Sequence, residues 1–223
     1  MKEKILIQTK YLEKPYLISY KTIIFLLLLM HFTGFIGMKL KFSQAYFEFL
    51  TPFNIISASA LLFIFHSNWT KSFIFWCIFV AFSGFFIEVL GVYTQIIFGK
   101  YAYGKTLGIK FLDVPLLISL NWLMLTYIFC ASLDFLDLPK LLKITFAALG
   151  MTLLDVLIEP MAIRHDLWHW FGQAIPLQNY VAWFIFSWLF SFLFFLIPFR
   201  KKNVVALGLL ASQLMFFVLH WVF

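Results

Sequence analysis

Seven runs of mostly apolar residues, each about long enough to cross a bilayer, constrain this chain more than any single residue does. They fall at about 22–38, 50–66, 72–90, 114–130, 141–158, 180–198 and 204–223. A membrane-spanning helix needs roughly 17–25 such residues. The second run is the weakest, because Pro52, Asn54 and several Ser and Thr residues interrupt it. The runs fill most of the 223 residues. They predict an all-α polytopic membrane protein: one domain over 1–223 holding a bundle of about seven transmembrane helices. A polar segment, 1–21, precedes the first run. Charged residues make up only 12%, against about 25% in a soluble domain. Soluble enzyme classes are therefore excluded.

The formal charge of +7 is spread between the apolar runs. That placement fits membrane topology better than a nucleic-acid surface, so no nucleic-acid partner is expected. With the N-terminus inside, eleven basic residues lie on the cytoplasmic side: Lys2, Lys4, Lys10, Lys14, Lys21, Lys71, Lys140, Lys143, Arg200, Lys201 and Lys202. Six face the other way: Lys39, Lys41, Lys100, Lys105, Lys110 and Arg164. The balance favours a cytoplasmic N-terminal segment, 1–21; the expected location is a bacterial inner (plasma) membrane. Cys77 and Cys130 sit inside apolar runs and read as small buried hydrophobes.

Two connections are longer than topology requires, at 91–113 and 159–179. Both fall on the same side of the bundle and both are rich in Gly, aromatic and polar residues. Long connections are often functional, and their shared side points to one site built from both.

Three acids stand near that end. Glu88 closes the third run, and Asp155 and Glu159 are four apart in the fifth, on one helix face with Thr152. A carboxylate at mid-span costs about 2.5–3.5 kcal/mol on the insertion scale, so it usually serves a purpose. The competing role for each acid is packing, as a hydrogen-bonded polar group. Pro160 is expected to break the helix behind Glu159. Asn121 and Trp122 lie in the fourth run, and Asn179 and Trp183 begin the sixth. For the two Asn residues, interhelical bonding and an N-cap-like role compete with function. Residues 164–170, RHDLWHW, offer His165 and His169 at a four-residue spacing. An interfacial helix anchored by Trp168 and Trp170 is the preferred reading over a metal site. The five His residues are too few for a membrane di-iron enzyme. No Asp-rich diphosphate motif is present, and the last run has no Lys for a retinal Schiff base. Polar rows that would line a permeation path are also missing, which disfavours a channel or transporter.

The stretches FFIEVLGVYT (85–94), FGKYAY (98–103), DVPLLISLNWLMLTY (113–127), LLDVLIEPMAIR (153–164), LWHW (167–170) and IPLQNYVAWF (175–184) occur in an ordered set. Together they resemble the integral-membrane carotenoid biosynthesis protein family, which includes the CruF-type carotenoid 1′,2′-hydratases. The resemblance runs from about Phe82 to Trp188. It departs from the family's Thr-Gly-x-Pro-Phe-Gly, where this chain has Thr94-Gln95-Ile96-Ile97-Phe98-Gly99.

The resemblance implies addition of water across the C1=C2 alkene of an acyclic ψ end group, in lycopene, γ-carotene or a bacterioruberin-type precursor. The product is a tertiary alcohol. Protonating an unactivated alkene needs a carboxylic acid held protonated, which burial and a neighbouring carboxyl favour. Asp155 is the preferred acid, Glu88 its partner, and Glu159 the third candidate. Aromatic faces stabilise a tertiary cation, and Tyr93, Tyr101, Tyr103, Trp122, Trp168 and Trp183 are placed for that. Thr94, Asn121 and Asn179 are candidates for positioning substrate or water. No cofactor or metal is required. The expected partners are a lipid-soluble carotenoid arriving from the bilayer, water as co-substrate, membrane lipid and other carotenoid-pathway enzymes. Two alternatives remain open: a proton-initiated carotene cyclase, and a non-catalytic carotenoid-binding protein.

Overall fold

The computed structural model describes residues 18–172 and 174–223. Most of the expected cytoplasmic segment, with Lys2, Lys4, Lys10 and Lys14, lies outside the described residues. Among the described residues, seven helices carry the fold: α1 (Tyr20–Lys39), α2 (Gln44–Ile64), α3 (Lys71–Thr94), α4 (Leu117–Leu133), α5 (Lys140–Arg164), α6 (Leu177–Leu196) and α7 (Val204–Val222). All but α4 are long and apolar enough to cross a membrane. The chain is an integral membrane protein, an all-α polytopic bundle.

Local chemistry sets the helix ends. The Thr70 hydroxyl accepts from Phe73 N–H at the start of α3, and Asn203 Oδ1 accepts from Val205 N–H at the start of α7. Each satisfies a donor that a helix N-terminus would otherwise leave unpaired. Pro139 and Pro176 stand just ahead of α5 and α6, where the missing N–H costs nothing.

α4 is the shortest helix, at 17 residues, and it is the axis of the bundle. It packs against α2, α3, α5, α6 and α7. Every residue from Trp122 to Ser132 is buried. The outer helices show the reverse, with large side chains such as Phe25, Phe49, Phe82 and Leu189 exposed. In water that surface would be unfavourable by roughly 25 cal/mol per Å², whereas in lipid it is the contact face.

Two expectations are corrected. α5 does not stop at Pro160 but continues through it to Arg164, and Pro52 likewise lies inside α2. A proline removes one i to i−4 hydrogen bond and tends to kink or break a helix. Here Glu159, Met161 and Ala162 are packed on either side of it, and the helix persists. Residues 164–170 do not form an interfacial helix. Trp168–Trp170 is a strand, β4, and it pairs antiparallel with β1, Tyr101–Tyr103. A second short hairpin joins β2 (Lys110–Phe111) to β3 (Val114–Pro115).

The two long connections therefore meet as a small sheet across one end of the bundle. Gly104 makes the joint possible. Its N–H bonds to Leu167 O at 2.9 Å, and a Cβ there would overlap the Asp166 carbonyl. The Thr106 hydroxyl bonds to His165 O at 2.7 Å and extends the seam.

Candidate active site

The β1–β4 sheet is the device that assembles the site. Successive strand residues point to opposite faces, so i and i+2 share one. The pairing sets Tyr101 opposite Trp170 and Tyr103 opposite Trp168, with Ala102 and His169 on the other face. Four aromatic side chains with polar ends thus lie on the face turned to the helices. Their donors divide evenly. The Tyr101 and Tyr103 hydroxyls both donate to Glu88 Oε2, at 2.6 and 2.8 Å. The Trp168 and Trp170 indoles both donate to Glu159 Oε2, at 3.1 and 2.9 Å. Burial, then the neighbouring Glu88, holds the phenols of Tyr101 and Tyr103 far above their ordinary range. They are O–H donors under all ordinary conditions.

Glu88 has a third donor, Trp122 Nε1, on Oε1 at 2.9 Å. Trp122 comes this close because Gly84, one turn before Glu88, leaves room for it. Trp122 stacks on Trp183 with ring centres 4.2 Å apart. Asp155 has one partner, Asn179 Nδ2 on Oδ2 at 2.7 Å, and among the described residues nothing bonds to its Oδ1. Glu88, Asp155 and Glu159 are at most 4% exposed.

All three acids line one cavity of about 350 Å³, within the range of small-molecule sites. Its wall is mainly apolar and aromatic and includes Trp122, Trp168, Trp170 and Trp183. The cavity continues past the acids to α1, α2 and α7. Thr33, Phe53 and Ser57 line it there and are themselves exposed on the outside of the bundle. The cavity thus joins a group of carboxyls to residues exposed on the outer, apolar faces of the bundle.

The structure gathers Glu88, Asp155, Glu159, Tyr101, Tyr103, Asn121, Trp122, Trp168, Asn179 and Trp183 around this cavity. It places Tyr93 and Thr94 elsewhere. Both are exposed; Tyr93 donates to Asp113 at 3.2 Å and Thr94 to the Leu90 carbonyl at 2.5 Å. Asn179 is no cap, since α6 starts two residues before it and its amide is on Asp155. His165 and His169 point apart. His165 is buried against Glu48 at 2.8 Å, whereas His169 is exposed beside Phe171. Among the described residues, no group of three or more His, Cys, Asp or Glu is arranged to hold a metal.

Sequence reasoning missed the second indole on Glu159, from Trp170, and the contribution of α1, α2 and α7. Asn54 and Gln213 line the cavity and were passed over. The signal was present for both, as a carboxamide inside an apolar span is costly unless it has a partner.

The profile of carotenoid biosynthesis proteins matches residues 49–223. That match spans α3 to α7, both hairpins and all three acids. No curated protein and no solved structure is similar enough to count as a match. By the extent of this match the chain belongs to the carotenoid biosynthesis protein family.

Proposed function

We propose that the chain is a carotenoid 1,2-hydratase of the CruF type, a cofactor-independent hydro-lyase. It adds water to the C1=C2 bond of an acyclic ψ end group of a carotene and gives a tertiary hydroxyl. One observation carries this reading: three buried carboxyls, unequally hydrogen-bonded, face a tryptophan-lined cavity that extends to residues exposed on the outer faces of the bundle.

The inequality divides the work. Glu88 accepts three hydrogen bonds, all from donors, a set that an ionised carboxylate satisfies. Glu159 accepts two on one oxygen. Asp155 accepts one, and its Oδ1 is left to carry a proton toward the substrate. Asp155 is therefore the acid, with Glu88 and Glu159 holding the aromatic frame around it. The polyene end slides in from the bilayer. Asp155 transfers its proton to C2 of the terminal alkene, and the positive charge forms at C1. Trp122 and Trp183 face this region, and an indole face stabilises a desolvated cation by roughly 2 kcal/mol. Water adds at C1, and loss of its proton restores the acid.

The test is expression in cells that accumulate lycopene or γ-carotene, with pigment analysis by mass. A pigment heavier by one water is the expected result. A ring formed without mass change would support a cyclase instead. Unchanged pigment in both hosts would overturn the enzyme reading in favour of a carotenoid-binding protein.

A further inference from the structure

The cavity holds further polar groups besides the acids. Glu88 and Asp155 project from α3 and α5, and Asn179 from α6. Asn54 of α2, Asn121 of α4 and Gln213 of α7 line the same cavity. Gln213 is 6% exposed. Its Nε2 meets only the Met124 sulfur, at 3.8 Å, and its Oε1 has no partner. Among the described residues, several buried polar side-chain atoms lack a partner, and Gln213 Oε1 is the one whose side chain lines the cavity. Asn54 and Asn121 are half-buried in the same wall.

A buried acceptor left without a partner is destabilising, so the Gln213 carboxamide needs an explanation. Met124 fixes where two of the helices meet: its sulfur accepts from Ser59 of α2 at 3.3 Å and from Gln213 of α7. The space in front of Gln213 is therefore held by packed helices. A carboxamide offers both a donor and an acceptor and does not titrate, so it suits a neutral group that also does both. It cannot supply the proton that an unactivated alkene requires.

We propose that Gln213, with Asn121 and Asn54, holds the attacking water. This rests on the hydratase reading and deepens it by naming the residues that position the water. The Asp155 O–H bond breaks as the C2–H bond forms. A lone pair of the held water then forms the C1–O bond. The resulting oxonium loses one proton, through a second water, to the Asp155 carboxylate. Water is consumed, the acid is regenerated and no redox partner is needed. Gln213 is a positioning residue, since it acts through the water it holds.

The consequence is a predicted partition of the cation. Without held water, the cation formed by Asp155 returns a proton to the carboxylate and reverts to alkene. In deuterated water that return leaves deuterium in the recovered polyene. The test incubates purified Gln213→Met and Asn121→Leu proteins with the polyene in detergent containing deuterated water. Hydrated product is expected to fall on the order of 100-fold in Gln213→Met, as for a misplaced reacting group, while deuterium still enters the unreacted polyene. Asn121→Leu should show the same pattern to a smaller degree. Undiminished hydration in both variants would overturn the assignment. So would loss of hydration together with loss of deuterium entry in both, because the residues would then act before the proton moves. Failure of the hydratase reading itself looks different: the wild-type protein would give neither hydrated product nor deuterium entry.

Discussion

The two ends of the bundle both bury polar groups among aromatic rings, and at the hairpin end these groups line a cavity. At the end away from the hairpins, His66 Nδ1 meets the Tyr127 hydroxyl at 2.7 Å and its Nε2 meets the Asn68 carbonyl at 2.8 Å. Its ring stacks on Phe73 with centres 3.6 Å apart. Asn203 Nδ2 donates to Leu62 O and to the Tyr127 hydroxyl, and its Oδ1 caps α7. None of these side chains lines the cavity. They tie α2, α4 and α7 together with their polar atoms turned on one another. At the hairpin end, the polar atoms bond the protein on one side and face open volume on the other. Buried polarity alone therefore does not mark a site. Polarity with unused valence beside a cavity does.

Substitutions at the two ends should separate these roles. The largest effect is expected from Asp155→Asn. It removes the transferable proton while the Asn179 side of the contact can re-form by an amide flip. Product should fall on the order of 10²–10⁴-fold, the usual worth of a general acid, with the yield of folded protein kept. Equal loss of folded protein would make Asp155 a packing residue like those of the far end.

Next comes Gly104→Val, which should wedge β1 from β4. A thermal melt in detergent is expected to show a loss of about 1–3 kcal/mol, typical of overpacking, with product formation falling alongside it. A smaller effect is expected at the far end. Tyr127→Phe removes one hydroxyl shared by His66 and Asn203 and should cost about 1 kcal/mol of stability. Product per folded molecule should not change, and if it did, the two ends would be coupled. The smallest change is expected from Trp183→Phe, which weakens one cation-facing ring and should slow product formation about two- to fivefold at unchanged stability.

Much of this contrast was legible in the sequence, but unevenly. The helices announced themselves because a spanning run is long, and each expected run overlaps a helix of the structure. Glu88 and Asp155 were visible because acids are rare within apolar runs. The sheet that organises them was not. Tyr-Ala-Tyr and Trp-His-Trp each alternate over only three residues, too short for a period-2 signal, and their pairing joins positions distant in the chain, as Tyr101 opposite Trp170 shows. The reading of 164–170 as a helix failed because the two Trp side chains serve Glu159 and not the bilayer interface. Pro160 misled because burial on both sides outweighs one missing hydrogen bond. Gln213 is a single carboxamide in the last run, and only the structure shows which face of that helix lines the cavity.

The most direct measurement follows the oxygen and the proton together. Purified protein is given lycopene or γ-carotene in water enriched in heavy oxygen, and the pigment is analysed by mass beside Asp155→Asn at equal folded concentration. Heavy oxygen in a new tertiary hydroxyl for the wild type, and no such product for Asp155→Asn, is the expected result. A hydroxyl without the heavy label, or labelled product formed equally well by Asp155→Asn, would contradict acid-driven hydration at this wall of carboxyls.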